Sequence, residues 1–422
     1  FALTGRGDVN TYSLFAELFY SLSRVFAGII VPTGISTDAT TAPFFANIIS
    51  KKSLSHLISF ENESFIFPSV HHSFKFCLLT LTKSKIEKPV FAYFLRNVGA
   101  LEDDRRVFTL SAEDIKRINP NTLTASVFRS KADAELTAKL YSNTPVLINE
   151  LEAPDGNPWS IEFATLFHMS SDSRFFVTAE QMSALGASRD GSWWINENAK
   201  GQIERFAPLY EPKMFSIFDH RAAGYDSRGD DRGFRVLPHT SLEQYRDPSY
   251  EPEPFYWVSE TELQRRMQLK GWPFRWLMGW RDVTSPSTER TMLPTIIPFS
   301  GVGHKMPLFL PRAEARLCIA FYGNMAALVF DYVARQKIGG TSFTYFYLKQ
   351  LPVLEPSFYT EPRLAFITPK VLELTYTSHS LAPFARDLGH DGPPFVWDED
   401  RRADLRADLD AFYARAYGLT RD

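Results

Sequence analysis

The chain has 422 residues, 44% of them hydrophobic and 23% charged, with a formal net charge of −3. That length exceeds one compact core, so two or three domains are expected, and the balance is that of an ordinary globular protein. No apolar run reaches membrane-span length and no signal-peptide pattern is present, while near-neutral charge leaves nucleic-acid binding open, since that needs only a local basic face.

The chain does not open on Met, and Phe1-Ala2-Leu3-Thr4-Gly5 reads as the middle of a longer protein. After a turn-rich lead-in, Asn10 suits the N-cap of a helix running to about Arg24. Its expected apolar face is Leu14, Phe15, Leu18, Phe19 and Leu22. Residues 27–32 read as a short, fully buried strand, followed by a loop, a helix over about 41–50 and a strand over 54–60. Then comes Phe65-Ile66-Phe67-Pro68-Ser69-Val70, an aromatic–proline corner. Pro68 disfavours a helical Phe67, so the ring is expected on display at a strand mouth, where an α/β enzyme offers planar ligands a flat surface. The plainer reading is a core Phe at a strand end. Phe74, Phe76 and Leu78, with Cys77 and Leu79, read as a mostly buried strand. Adjacent His71 and His72 point to opposite faces of a strand and so cannot chelate together. The order helix, strand, helix, strand, strand fits the second half of an open α/β sheet.

Residues 84–145 read as a connector: a strand pair at 89–95 and 106–110, a capped helix from Ser111, and a charged helix over 130–141. From 146 to 358 the periodicity breaks into short strands and turns. Gly186–Gly201 reads as a loop carrying Trp193 and Trp194, and Asp226–Arg235 as a mobile polar loop. A helix is expected over 261–269, strands over 276–281 and 291–298, a turn at Gly301-Val302-Gly303, and a helix over 325–337 capped by Asn324. In the tail, Thr368-Pro369 reads as a helix start, and residues 401–417 form a helix stopped by Gly418.

Cys77 and Cys318 lie far apart in apolar runs, which points to a reducing compartment rather than a disulfide framework or zinc site. Asp190 upstream of Glu211-Pro212-Lys213 has the outline of a Mg-dependent nuclease site, but the Pro disrupts the strand that geometry needs. No P-loop, nucleophile elbow or dinucleotide fingerprint occurs, and no complete active site is visible. Between 265 and 349, basic residues including Arg275, Arg281, Arg290, Lys305, Arg335 and Lys337 interleave with Trp272, Phe274, Trp276, Trp280 and Tyr345. That mixture suits phosphate contacts with base stacking, and it suits equally a solvated surface over a Trp-rich core.

Gly7-Asp8-Val9-Asn10-Thr11-Tyr12-Ser13-Leu14-Phe15-Ala16-Glu17, Gly28–Gly34 and Phe67-Pro68 resemble later motifs of the adenine-N6 DNA methyltransferases. Longer blocks further on resemble large restriction-modification proteins that join methyltransferase and target-recognition domain in one chain. These are Ile118–Thr122, Leu209–Met214 with Phe218-Asp219-His220-Arg221, Glu289–Met292, Asp331–Thr341, Lys349–Leu354 and Leu388–Phe395. The resemblance implies that Phe67, with Pro68, stacks a target adenine flipped out of the duplex. It implies that Phe15, with Asn10 and Pro32, borders the cofactor S-adenosylmethionine. It implies also an Asn-Pro-Pro-aromatic loop that activates the adenine amino group, and a Gly-rich cofactor motif, neither of which this sequence holds; both are expected upstream of Phe1. Asn157-Pro158-Trp159 has one Pro and the wrong place to substitute.

The expected fold is therefore a partial class I methyltransferase (Rossmann-like) α/β sheet over 1–83, a connector over 84–145, an α+β target-recognition domain over 146–358, and a helical tail over 359–422. The expected partner is double-stranded DNA, gripped by Arg275, Arg281, Arg290, Lys305, Arg335, Lys337 and Trp280, with no metal and no membrane, in the cytoplasm. Nuclease or motor domains fused upstream fit the resemblance. The alternatives are a non-catalytic DNA specificity module serving a separate catalytic chain, and a restriction endonuclease using Glu211 and Lys213.

Overall fold

The computed structural model describes residues 1–7, 9–197, 201–226, 236–285, 288–338 and 341–420. Asp8, the greater part of the polar loop 226–235, and Gly339-Gly340 lie outside the described residues. Among the described residues the protein is a mixed α/β chain with three sheets, divided into two compact units. One unit gathers residues 1–157 with 332–353; the other gathers 158–284, 288–331 and 354–422. The stretch 84–145 thus belongs with 1–83, and the tail 359–422 with the body of the second unit.

The first unit opens with helix α1 (Thr11–Leu22). Glu17 pins the lead-in to it, accepting from the Thr4 amide at 3.0 Å and the Thr4 hydroxyl at 2.6 Å. Strand β1 (Phe26–Pro32), helices α2 (Gly34–Thr37) and α3 (Ala42–Ser50), and strands β2 (Leu54–Glu61), β3 (Lys75–Thr82), β4 (Val90–Leu95) and β5 (Phe108–Thr109) follow. The sheet order is β1-β3-β2-β4-β5. Strand β3 runs against both β1 and β2, and β2 runs parallel to β4. The carboxyl ends of β1, β2 and β4 therefore share one rim. Helices α4 (Ala112–Ile118) and α5 (Lys131–Asn143) come next. The capping box at Ser111 forms with Asp114, and Ser130 caps α5 through the Asp133 amide.

The expectations for β1 and α1 fail. Strand β1 is not fully buried: it is the sheet edge, and Phe26 and Ile30 stand exposed. Helix α1 turns inward its Ser13, Ala16 and Tyr20 stripe, leaving Phe15, Phe19 and Leu22 outside. Helix α1 packs against β1, and the Tyr20 hydroxyl reaches Ser53 at 2.8 Å.

The second unit holds two further sheets. Strands β6 (Glu162–Ala164), β7 (Ser188–Asp190), β8 (Trp193–Glu197), β9 (Ile203–Tyr210) and β10 (Trp257–Ser259) are interspersed with helices α6 (Ala179–Ala184) and α7 (Leu242–Arg246). Helix α8 (Glu260–Gln268) leads to β11 (Trp276–Trp280), β12 (Pro294–Pro298), β13 (Gly301–Val302) and β14 (Leu308–Leu310). One sheet runs β10-β9-β8-β7, with β13 beside β9; the other runs β12-β11-β14-β6. The expected Trp193–Trp194 loop is thus a hairpin, turned at Gly191 with φ of 59°. The expected turn at Gly301-Val302 is a parallel strand on Leu209 and Tyr210.

Helices α9 (Ala315–Ala326), α10 (Leu328–Lys337), α11 (Tyr345–Leu348), α12 (Glu361–Thr375), α13 (Ala382–Asp387) and α14 (Glu399–Ala416) complete the chain. Asn324 is no cap: it is buried within α9, where its Nδ2 donates to the Tyr417 hydroxyl at 2.8 Å. Pro369 likewise does not start a helix but sits inside α12, held by the buried face of Leu364, Ile367, Val371 and Leu372. No single helix among the described residues is long and apolar enough to cross a membrane.

Candidate functional site

The corner between β2 and β3 stands on the shared carboxyl rim. Asn62, fully buried, closes it. Its Nδ2 donates to the carbonyls of Phe67 at 3.0 Å and Val70 at 2.8 Å, and its Oδ1 accepts from the Phe67 amide at 2.9 Å. The loop backbone is thereby tied to one side chain at both ends of the Phe67–Val70 turn. Phe65 enters the turn in the left-handed region, with φ of 51°. Phe67 is 37% exposed and meets Phe76 edge-on, with ring centroids 4.8 Å apart. Phe76 in turn stacks on Phe60 at 5.5 Å. One edge of Phe67 is thus fixed on a three-ring ladder while the ring stays reachable. Pro68 is exposed beside it.

Phe74 and Leu78 are exposed, so the following strand is less buried than its composition implies; Cys77, Leu79 and Leu81 carry its buried face. His71 and His72 lie in the corner loop, not on a strand, and their ring centroids are 4.3 Å apart. His72 Nδ1 is 3.2 Å from Glu63.

The residues expected to border a cofactor are spread along α1 and β1. Asn10 precedes α1 and makes no side-chain cap bond; its carbonyl accepts from the Ser13 amide at 3.2 Å. Phe15 is 54% exposed and stacks with Phe19 at 5.9 Å. Pro32 ends β1 and is exposed.

The expected DNA-gripping set divides between the two units: Arg275, Trp280, Arg281, Arg290 and Lys305 fall in one, Arg335 and Lys337 in the other. Burial corrects several of these. Trp280 is 0% exposed, in aromatic contact with Phe163 and Phe309, so it offers no stacking face. Trp276 is as deeply buried, and the interleaved tryptophans are core. Lys337 is buried, its ammonium donating to the Ile118 carbonyl at 2.7 Å and to Asn119 Oδ1. Burial drives its pKa well below the usual lysine value. Arg281 donates to the Phe215 carbonyl at 2.8 Å, and burial lowers its pKa. Arg290 is half-buried and donates to the Ala326 carbonyl at 2.7 Å, at the end of α9. Arg335 is half-buried. Arg275 and Lys305 keep exposed side chains, paired with Glu260 at 3.1 Å and Asp282 at 2.6 Å.

Several of the longer sequence blocks contribute buried joints. Asp331 Oδ1 accepts from the Thr291 and Met292 amides, each at 2.7 Å. Gln350 Oε1 accepts from the Thr122 hydroxyl at 2.9 Å. The Arg221 guanidinium is buried and donates to the carbonyls of Tyr245, Asp247, Tyr250 and Thr377. Of the nuclease outline, Asp190 pairs with Arg205 at 3.3 Å and Glu211 accepts from the Tyr225 hydroxyl at 3.3 Å. Asn62 escaped sequence reading. The signal that could have found it is an Asn in the turn just before an aromatic–Pro pair.

No family model matches the chain, and no curated protein does. Over 97% of its length the chain matches a solved structure of the type IIL restriction-modification enzyme MmeI in complex with DNA, at 12% identity and a TM-score of 0.45. Over 99% it matches the type IIG restriction endonuclease BpuSI, at 12% identity and a TM-score of 0.31. The chain spans about half the length of each, 49% and 50%.

Proposed function

We propose that this chain is the target-recognition half, with part of the catalytic sheet, of a restriction-modification DNA methyltransferase acting on adenine N6. The observation that carries the reading is the Asn62-tied corner, which presents Phe67 on the carboxyl rim of the parallel strands, where ligands of open α/β sheets bind. A duplex adenine keeps its amino group inside the stack, so the base must leave the helix for chemistry. Phe67 receives it on an exposed ring already fixed by Phe76 and Phe60. Stacking on such a fixed ring adds about 1–3 kcal/mol.

The exposed ring of Phe15 fits one wall of a purine such as the adenine of S-adenosylmethionine, with Asn10 and Pro32 beside the same rim in the sequence resemblance. That group, when bound, supplies an electrophilic methyl. The Asn-Pro-Pro-aromatic loop is not in this sequence, so the transfer itself is proposed for the assembly that includes it. Arg275 and Lys305, the exposed members of the basic set, take phosphate contacts by exchanging Glu260 and Asp282 for the backbone. We assign recognition to the unit that holds them.

A specificity module serving a separate catalytic chain is the second reading, favoured by Arg275 and Lys305 lying in the unit that does not hold the β1–β5 sheet. The test is Phe67→Ala in the enzyme that carries that loop. Methylation should fall while duplex binding stays close to the parent; equal loss of both would remove the stacking role.

A further inference from the structure

Neither the fold nor the role given to Phe67 accounts for Phe65. It follows the short turn Asn62–Ser64 with φ of 51° and ψ of 43°, in the left-handed region. A residue with a bulky side chain is strained there, and glycine would take the same turn freely. Packing within the chain offsets little of that strain. Phe65 is 53% exposed, and its ring meets that of His72 at a tilt, with centroids 6.4 Å apart. A strained, exposed aromatic beside a binding corner is placed to act on something outside the chain.

The backbone fixes Phe65 relative to Phe67. The Phe65 amide donates to the Asn62 carbonyl at 2.8 Å, and the Phe67 amide donates to Asn62 Oδ1 at 2.9 Å. One buried residue therefore sets both positions. The two rings have separate supports. Phe67 rests on Phe76 and Phe60, whereas Phe65 leans on His72, whose Nδ1 is 3.2 Å from Glu63. Ile66, between them in sequence, is 42% exposed and continues the apolar edge.

Extruding a base from a duplex leaves a gap in the stack, and apolar side chains inserted between base steps hold such steps apart. The gap calls for a flat, uncharged group at a fixed offset from whatever receives the extruded base. Phe65 meets both conditions. We propose that Phe65 is a wedge that enters the duplex where the target base leaves it, keeping the gap open while Phe67 holds the base. Phe65 acts on the neighbouring bases and is a positioning residue. Its role rests on the base-flipping reading above.

The experiment is methyl transfer and duplex binding by the enzyme that carries the transfer loop, comparing the parent with Phe65→Gly, Phe65→Leu and Phe67→Ala. The methylated site is located beforehand by mapping N6-methyladenine in DNA treated with the parent. Two duplexes carry that site, one with the target adenine paired and one with it opposite an abasic position, where extrusion breaks no base pair. Phe65→Gly relieves the left-handed strain, so the fold is kept, and urea unfolding checks this. Phe65→Gly should lower transfer about tenfold on the paired duplex and little on the abasic-opposed one. Phe65→Leu should recover part of the loss, and Phe67→Ala should be impaired on both duplexes. Equal loss from Phe65→Gly on the two duplexes, or transfer unchanged on both, would overturn the wedge while leaving base flipping in place. A parent enzyme that binds no duplex and methylates no adenine would overturn the base-flipping reading, and the wedge with it.

Discussion

Asn62 and Phe67 divide the work of the corner between geometry and contact. Asn62→Ala removes three hydrogen bonds from a buried position and leaves loop carbonyls to water, which predicts a loss of about 1–3 kcal/mol in urea unfolding and faster amide exchange over residues 65–74. An Asn62→Ala chain as stable as the parent would show that the loop is held by its own packing instead. Phe67 was legible in the sequence because Pro restricts the residue before it, a local effect. Asn62 was not, because its partners are backbone groups five and eight residues away whose direction depends on the folded turn. Trp280 and Lys337 show the reverse error. A cation or indole in a basic stretch looks available until the packing around it is known, and Lys337 proves to bind main chain inside its unit.

At the scale of elements, caps and strands written in neighbouring residues were readable: Ser111 caps as expected, and β4 pairs β5 as expected. Which stripe of α1 turns inward was not, since Tyr20 is drawn in by partners distant in sequence, its hydroxyl on Ser53 and its ring under Lys83. Helix α8 illustrates a clamp that sequence cannot show. Arg266 donates to Asp172 at 3.0 and 3.1 Å and to Glu262 at 2.7 Å, with its guanidinium 4.2 Å from the Phe167 ring centre. Arg266 holds the Asp172 carboxyl down at about 2, and Arg265 and Arg266 do the same for Glu262. In the unfolded chain such carboxyls titrate near 4. The clamp's contribution is therefore complete above about pH 4 and lost as pH falls through 2, because the unfolded chain takes up protons first. Arg266→Ala should cost about 1–2 kcal/mol at pH 7, with the gap to the parent narrowing through that window. A gap constant from pH 7 to 2 in chemical denaturation would contradict the assignment.

Across the whole molecule, several blocks that carried the resemblance form buried joints within each unit: Asp331 with Thr291 and Met292, Lys337 with Asn119, Gln350 with Thr122. They report the scaffold more than the chemistry, and so the fold was more legible than the site. The basic stretch was legible as composition only; folding splits it between two units and pairs its exposed members with carboxylates. Arg275→Ala is accordingly predicted to weaken duplex binding uniformly across sequences and to lower the log-log salt slope by about 1, whereas Lys337→Met leaves that slope unchanged and lowers stability. Equal slopes for Arg275→Ala and the parent would remove Arg275 from the interface. The central claim is that Phe67 holds a base outside the helix. Its most direct measurement is methyl transfer and duplex affinity on the same preparations of parent and Phe67→Ala enzyme carrying the transfer loop. The account predicts transfer reduced about 5- to 150-fold, the worth of one stacked base, with duplex affinity nearly unchanged. Parallel loss of both, or transfer undiminished, would contradict it.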